Sequence, residues 1–196
     1  MRHRIANSLQ IIASILMLKA RNVESAETRM HLQEAHKRVL SIAAVQDHLQ
    51  ASGRGEPIAV APYLSSLCAT LGQSMIGDGH SVALDVVAGA GTVSSNDAVS
   101  LGLIVTEAVI NSLKHAFPTS KTDNRITVSY ERIGAGWTLA IKDNGVGKQS
   151  TGAAATKPGL GTSIVNALAQ QLEARVEVAS DRTGTIVSII HVAAVS

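Results

Sequence analysis

The chain has 196 residues, 45% hydrophobic and 16% charged, with 17 basic and 15 acidic side chains for a net charge of +2. That balance excludes the basic footprint of a duplex-DNA binder, and the four aromatics, Tyr63, Phe117, Tyr130 and Trp137, are too few for base-stacking platforms. The single cysteine, Cys68, excludes an intramolecular disulfide and any CxxC metal site.

The first 50 or so residues read as two helices. Ile5, Leu9, Ile12 and Leu16 are spaced 4, 3 and 4, a heptad seam, and Ile11, Ile15 and Leu18 form a second apolar stripe beside it. An apolar face this wide suits a bundle helix with more than one neighbour. The pattern breaks around Asn22, and Ser25 is a suitable N-cap with Glu27 in the first turn that follows. Leu32, Ala35, Val39, Ile42 and Leu49 then mark a second helix. A hairpin of this kind leaves apolar surface open, and a homodimer closing a four-helix bundle is the simple way to cover it. The alternative is packing against the rest of its own chain. His3, Asn7, Gln10 and Ser14 form a polar stripe on the first helix, and His3 points ~200° away from Ile5 and the seam.

Ala51 to Pro57 is a linker by composition. Pro62 is expected near the start of a helix carrying Leu64, Leu67, Leu71 and Met75. Val82, Leu84 and Val86 alternate as a strand. Ser95 or Asn96 is the expected cap of a long helix reaching Phe117, where Pro118 blocks continuation. Strands near 125–133 and 137–143 follow, joined by a turn at Gly134-Ala135-Gly136. A helix over about 160–172 and strands near 174–180 and 185–193 complete the chain. The fold class is α+β: a helical hairpin over residues 1–52, then an α/β sandwich over residues 58–196.

Three clusters carry chemistry. On the long helix, Glu107, Asn111, Lys114 and His115 share one face, with Leu101, Val105, Val109 and Leu113 opposite for the core. The amide oxygen of Asn111 is a hard ligand suited to Mg²⁺, and the Lys114 and His115 side chains can donate to phosphate. Asp143-Asn144-Gly145-Val146-Gly147 directly follows a strand; its carboxylate suits an exocyclic amine, and its glycines permit close backbone approach. Gly159-Leu160-Gly161 opens a helix whose free N–H groups suit phosphate. No Walker A pattern occurs, which excludes a P-loop NTPase.

The set ExxxNxxKH, DNGVG and GLGxSIV, with Gly184-Thr185 before the last strand, resembles the GHKL ATP-binding fold over roughly residues 58–193. That superfamily includes histidine kinases, gyrase-type ATPases, heat-shock ATPase chaperones and anti-sigma-factor serine kinases. The resemblance implies ATP and Mg²⁺ as cofactors, with Asn111 on the metal and Asp143 on adenine. It also implies that Gly145, Gly147, Gly159 and Gly161 shape the nucleotide loops, that Thr185 lies beside adenine, and that residues 148–158 form a lid. Glu107 matches the position of the water-activating base in the superfamily's ATPases.

His3-Arg4-Ile5-Ala6-Asn7-Ser8-Leu9-Gln10 resembles the phosphoacceptor helix of bacterial sensor histidine kinases of the H-R-x-x-N-x-L-Q subtype. The resemblance implies that His3 takes the γ-phosphoryl group and passes it to an Asp on a response-regulator receiver domain. Arg4 stands where the commoner subtype has an acidic base, so no base is assigned. Asn7 matches the position that orients a hydrolytic water in phosphatase-active relatives. The competing expectations are an ATP-independent phosphotransfer protein or phosphatase, and a GHKL ATPase or serine kinase. His31, His36, His48, His80 and His191 are expected to be surface or structural, and Cys68 to be core. No membrane span or signal peptide is expected, so the chain is expected to be cytoplasmic, from a parent either soluble or membrane-anchored. With His3 so near the start, truncation ahead of the histidine, removing an upstream sensor, is the favoured expectation.

Overall fold

The computed structural model describes residues 4–51, 56–76, 82–118, 123–147 and 160–192. Helix α1 (Arg4–Arg21) and helix α2 (Ala26–Ala51) form the expected hairpin. Ser25 caps α2: its Oγ accepts from the Thr28 N–H at 3.3 Å. Ala13 and Ala20 of α1 and Ala43 and Val45 of α2 are buried. His36 is structural, its Nδ1 lying 2.8 Å from the Ala13 carbonyl oxygen across the hairpin. The second stripe of α1 stays open, with Ile11, Ile15 and Leu18 more than half exposed.

The second module is a two-layer sandwich. Its sheet runs β2-β4-β5-β7-β6, built from β2 (Val82–Ala88), β4 (Asn124–Ile133), β5 (Gly136–Asp143), β6 (Ala174–Asp181) and β7 (Gly184–His191). The β2–β4 pair is parallel and the other three pairs are antiparallel. A short ribbon of β1 (Ile58–Ala59) with β3 (Thr92–Val93), too brief to show a sequence period, lies beside it. Helices α3 (Val60–Met75), α4 (Ser95–His115) and α5 (Leu160–Gln171) pack against the sheet. The β4 residues Ile126, Val128 and Tyr130, alternating as a strand must, meet Leu139, Ile141 and Ile189 from its neighbours in the core. Leu64, Leu67 and Leu71 of α3 fill the same core. Cys68 is buried there, and burial pushes its thiol up to about 12.

Helix α4 is the spine. Leu101, Ile104, Val105 and Val109 are fully buried, and Thr106, Glu107 and Ile110 are buried as well. Apolar burial therefore extends well around the helix, beyond the single stripe that Leu101, Val105 and Val109 define. The N-cap is Ser94, not Ser95 or Asn96. Ser94 holds the extended backbone that a cap requires, and its Oγ accepts from the Asp97 N–H at 3.1 Å, while Ser95 is already helical. The helix ends at His115, one turn short of Pro118, with Ala116 as C-cap.

The hairpin also packs on its own chain. Val45 of α2 enters the core of the sandwich, and a β carbon on Gly102 of α4 would strike the Tyr63 hydroxyl and come within 2.8 Å of Val45 Cγ2. The Tyr63 hydroxyl donates to the Ala98 carbonyl at 2.7 Å, so α3 and α4 are tied where α2 arrives. Among the described residues no helix is long and apolar enough to cross a membrane. Ser94→Ala is expected to cost about 1 kcal/mol of stability, and Ser95→Ala less than about 0.5 kcal/mol. Urea unfolding of the two variants checks this.

Candidate functional site

Three stretches of chain, the end of α4, the turn after β5 and the start of β7, meet around Asp143 at the end of β5. Asp143 is only 3% exposed. Oδ1 accepts from the backbone N–H groups of Gly145 and Thr185, both at 3.1 Å, and Oδ2 accepts from the Ser112 hydroxyl at 2.9 Å. A carboxylate has about four acceptor positions, so Oδ2 keeps capacity for one more donor. Ser112 escaped the sequence reading, because its bond to Asp143 spans 31 positions and nothing local signals it.

The glycines of the turn are required first by the protein's own packing. A β carbon on Gly145 would overlap the Ala116 carbonyl oxygen, which accepts from the Val146 N–H at 2.9 Å. Gly147 has φ +60°, and a β carbon there would overlap the Asp181 carbonyl oxygen. Gly184 has φ +141° and lies against the Asp143 carbonyl oxygen. These close approaches hold the turn after β5 to the end of α4 and to the β6–β7 turn. Asn144 completes the knot: its side chain accepts from the Arg125 N–H at 2.8 Å and donates to the Asp123 carbonyl at 2.6 Å. The Thr185 hydroxyl lies 2.9 Å from Ser180 Oγ.

The polar face of α4 meets two elements. At the start of α5, a β carbon built on Gly161 would lie 2.7 Å from Glu107 Oε2, 3.4 Å from Asn111 Nδ2 and 3.5 Å from a terminal guanidinium nitrogen of Arg38. Glu107 and Asn111, on the one face that their spacing predicts, thus both lie against this helix start. The second element is α2, which the sequence did not connect to this face. Arg38 Nε lies 2.7 Å from Glu107 Oε1, and the Lys114 ammonium is held by the Glu34 carboxylate. Glu34 and Arg38, one turn apart on α2, pair with partners 80 and 69 positions away. His115, in the last turn of α4, is exposed. Leu160 opens α5, and Asn7 lies in the first turns of α1. His3, Gly159 and the lid over residues 148–158 lie outside the described residues.

Two family profiles match the chain. Residues 1–75 match one described as histidine kinase, and residues 96–194 match the histidine kinase-, DNA gyrase B-, and HSP90-like ATPase family. The chain belongs to the histidine kinases. It comprises a histidine kinase core with a GHKL ATPase domain, and that domain's family implies ATP binding. The kinase is 30% identical to the sensor histidine kinase PdtaS of Mycobacterium tuberculosis over 166 residues, covering 85% of this chain and 33% of that protein. It is 25% identical over 192 residues to blue-light-activated histidine kinase 2 of Erythrobacter litoralis, covering 95% of this chain and 54% of the relative. The chain therefore spans about a third to a half of the length of these curated relatives. The solved histidine kinase domain of an Erythrobacter litoralis blue-light-activated kinase superposes with a TM-score of 0.70 at 23% identity, over 97% of this chain and 88% of that one. The Acinetobacter baumannii histidine kinase AdeS superposes at 0.59 and 14% identity, over 96% of both chains. At those identities the superpositions establish the fold.

Burial works to raise the Glu34 carboxyl, but the hydrogen bond and charge of Lys114, helped by Arg38 and His31, outweigh it and hold Glu34 below its ordinary 4.5. A carboxyl lowered in the folded state stabilises at pH values above its unfolded value and loses that contribution as pH falls through the lowered one. The stability difference between the wild type and Glu34→Gln is therefore expected to be full above pH 4.5 and to close below it. Its size should stay under about 1 kcal/mol, because the pair is partly solvated. Denaturant midpoints of both proteins across that pH range check the sign.

Proposed function

We propose that this core autophosphorylates His3 from Mg-ATP and passes the phosphoryl group to an Asp of a response-regulator receiver domain. The observation that supports it best is the convergence of Glu107 and Asn111 on Gly161, at the N-terminus of α5, alongside the Asp143 knot. A helix start offers N–H groups and a positive dipole end to phosphate. The free acceptor position on Asp143 suits the exocyclic amine of adenine, with Thr185 beside it. Gly145, Gly147, Gly159 and Gly161 keep the loops close to the nucleotide, and Leu160 opens the phosphate-facing helix. Lys114 and His115 would donate to phosphate oxygens, Lys114 after leaving Glu34.

The donor set fits Mg²⁺. Asn111 offers an amide oxygen, a hard ligand, on the face of α4 that meets the start of α5. Asn111 would hold the ion, which when bound neutralises phosphate charge. In the reaction a neutral imidazole nitrogen of His3 attacks the γ-phosphorus, the bond to the β-phosphate oxygen breaks, and ADP leaves. The receiver's carboxylate then attacks the same phosphorus and the P–N bond breaks. The residue assignments, the two modules over 1–52 and 58–196, and Asn7 as the orienter of a hydrolytic water in a phosphatase side reaction are parts of this proposal. The family matches do not favour an ATP-independent carrier or a serine kinase.

The homodimer is supported by the open stripe of α1. Ile11, Ile15 and Leu18 are 61%, 51% and 59% exposed, and Ile12 of the neighbouring seam is 45% exposed. A second copy covering this stripe would complete a four-helix bundle. Light scattering is expected to give twice the chain mass for the wild type and the single-chain mass for Ile15→Glu.

Incubation with γ-labelled ATP and Mg²⁺ is expected to yield acid-labile label, lost in His3→Ala and in Asn111→Ala. Acid-stable label, or label retained in His3→Ala, would overturn the proposal.

A further inference from the structure

Glu107 matches the water-activating base of the superfamily's ATPases, and a kinase has no use for such a base while a histidine awaits the phosphoryl group. The structure shows what becomes of this carboxylate. Its side chain is 5% exposed, and Arg38 of α2 lies against Oε1, Nε to oxygen 2.7 Å. Oε2 is sealed against Gly161 and has no solvent access. A general base needs a lone pair within hydrogen-bond reach of the water it activates. Here one oxygen faces a guanidinium and the other faces the backbone of α5.

We infer that Arg38 is a positioning residue that decides the fate of the γ-phosphoryl group: by holding Glu107 it keeps water from being activated and leaves the phosphoryl group for the histidine. The inference rests on the kinase reading and deepens it. The competing reaction is balanced. A water oxygen attacks the γ-phosphorus, the bond to the β-phosphate oxygen breaks, ADP leaves, and the proton of the water goes to the Glu107 carboxylate. Removing Arg38 leaves a buried carboxylate with no other cation paired to it among the described residues, a costly state that favours turning the group toward solvent and substrate. Arg38 comes from α2, so the restraint lasts only while the hairpin is docked on α4. The module that carries the phosphoacceptor thereby silences the hydrolytic base of the module that binds ATP.

The test measures phosphate release and acid-labile phosphohistidine in one reaction, with the full chain, Mg²⁺ and γ-labelled ATP. Arg38→Gln is expected to raise the ratio of free phosphate to phosphohistidine at least about tenfold, modest against the ~10²–10⁴ that a positioned base supplies. Arg38→Met, which keeps the aliphatic stem, should do the same if the glutamine variant does not fold. Arg38→Lys should lie near the wild type, and adding Glu107→Gln to either neutral variant should abolish the rise. A ratio unchanged in the neutral variants, while the wild type labels His3, would overturn the inference. So would a rise that survives Glu107→Gln. A wild type that forms no phosphohistidine at all would instead sink the kinase reading on which the inference stands.

Discussion

A carboxylate taken out of water must be met by donors, or the fold around it is unstable. Asp143 is met by three, and each comes from a different stretch of chain: Ser112 from the last turns of α4, Gly145 from the turn after β5, Thr185 from the start of β7. Satisfying one side chain therefore fixes the relative positions of the central helix, the central strand and the β6–β7 hairpin. The glycines follow from that constraint. Once these three segments are drawn together, their backbones meet at Gly145, Gly147 and Gly184, where no β carbon fits. The loop geometry proposed to receive adenine is thus already demanded by the fold's own packing. The same hydrogen bonds that hold the chain together leave one acceptor position of the carboxylate unused.

The second organising contact is electrostatic and joins the modules. Helix α2 presents Glu34 and Arg38 one turn apart, and α4 answers with Lys114 and Glu107 two turns apart. The two pairs differ in kind. The Lys114–Glu34 pair is partly solvated and contributes little to stability. Glu107 is almost wholly covered, so its charge is tolerable only with a cation beside it. The state of Glu107 therefore depends on α2 being docked. Val45 and Gly102 give the docking an apolar anchor, which sets the distance at which the charges meet.

Much of this was legible in the sequence. The 4-3-4 spacing of Ile5, Leu9, Ile12 and Leu16, the Ser25 cap, the Gly134 turn and the strand-end Asp143 are local signals, and each follows from backbone periodicity or turn chemistry. The misplaced cap of α4 shows the limit of such signals. Ser94, Ser95 and Asn96 can all cap, and only the extended backbone of Ser94 decides among them. The roles of Ser112, Glu34 and Arg38 were not legible at all. Their partners lie between 31 and 80 positions away, and no period or motif connects them. The α4 face itself read correctly as polar, but its polarity does not mean solvation: Glu107 is buried by a helix that the sequence placed in another module.

The hairpin faces two demands at once. One side of α2 is engaged by α3 and α4, and its seam is engaged by α1. Most of what remains apolar and uncovered in the hairpin lies on α1, at Ile11, Ile12, Ile15 and Leu18, with Met30 and Leu40 exposed on α2. Both possibilities weighed for the hairpin, self-packing and a partner copy, can therefore hold together, because they use different helices. Such a division separates two degrees of freedom. A second copy on the α1 stripe would leave α2 able to dock on α4 or release it. The Arg38–Glu107 contact, made through α2, would then be independent of the face on which such a bundle closes.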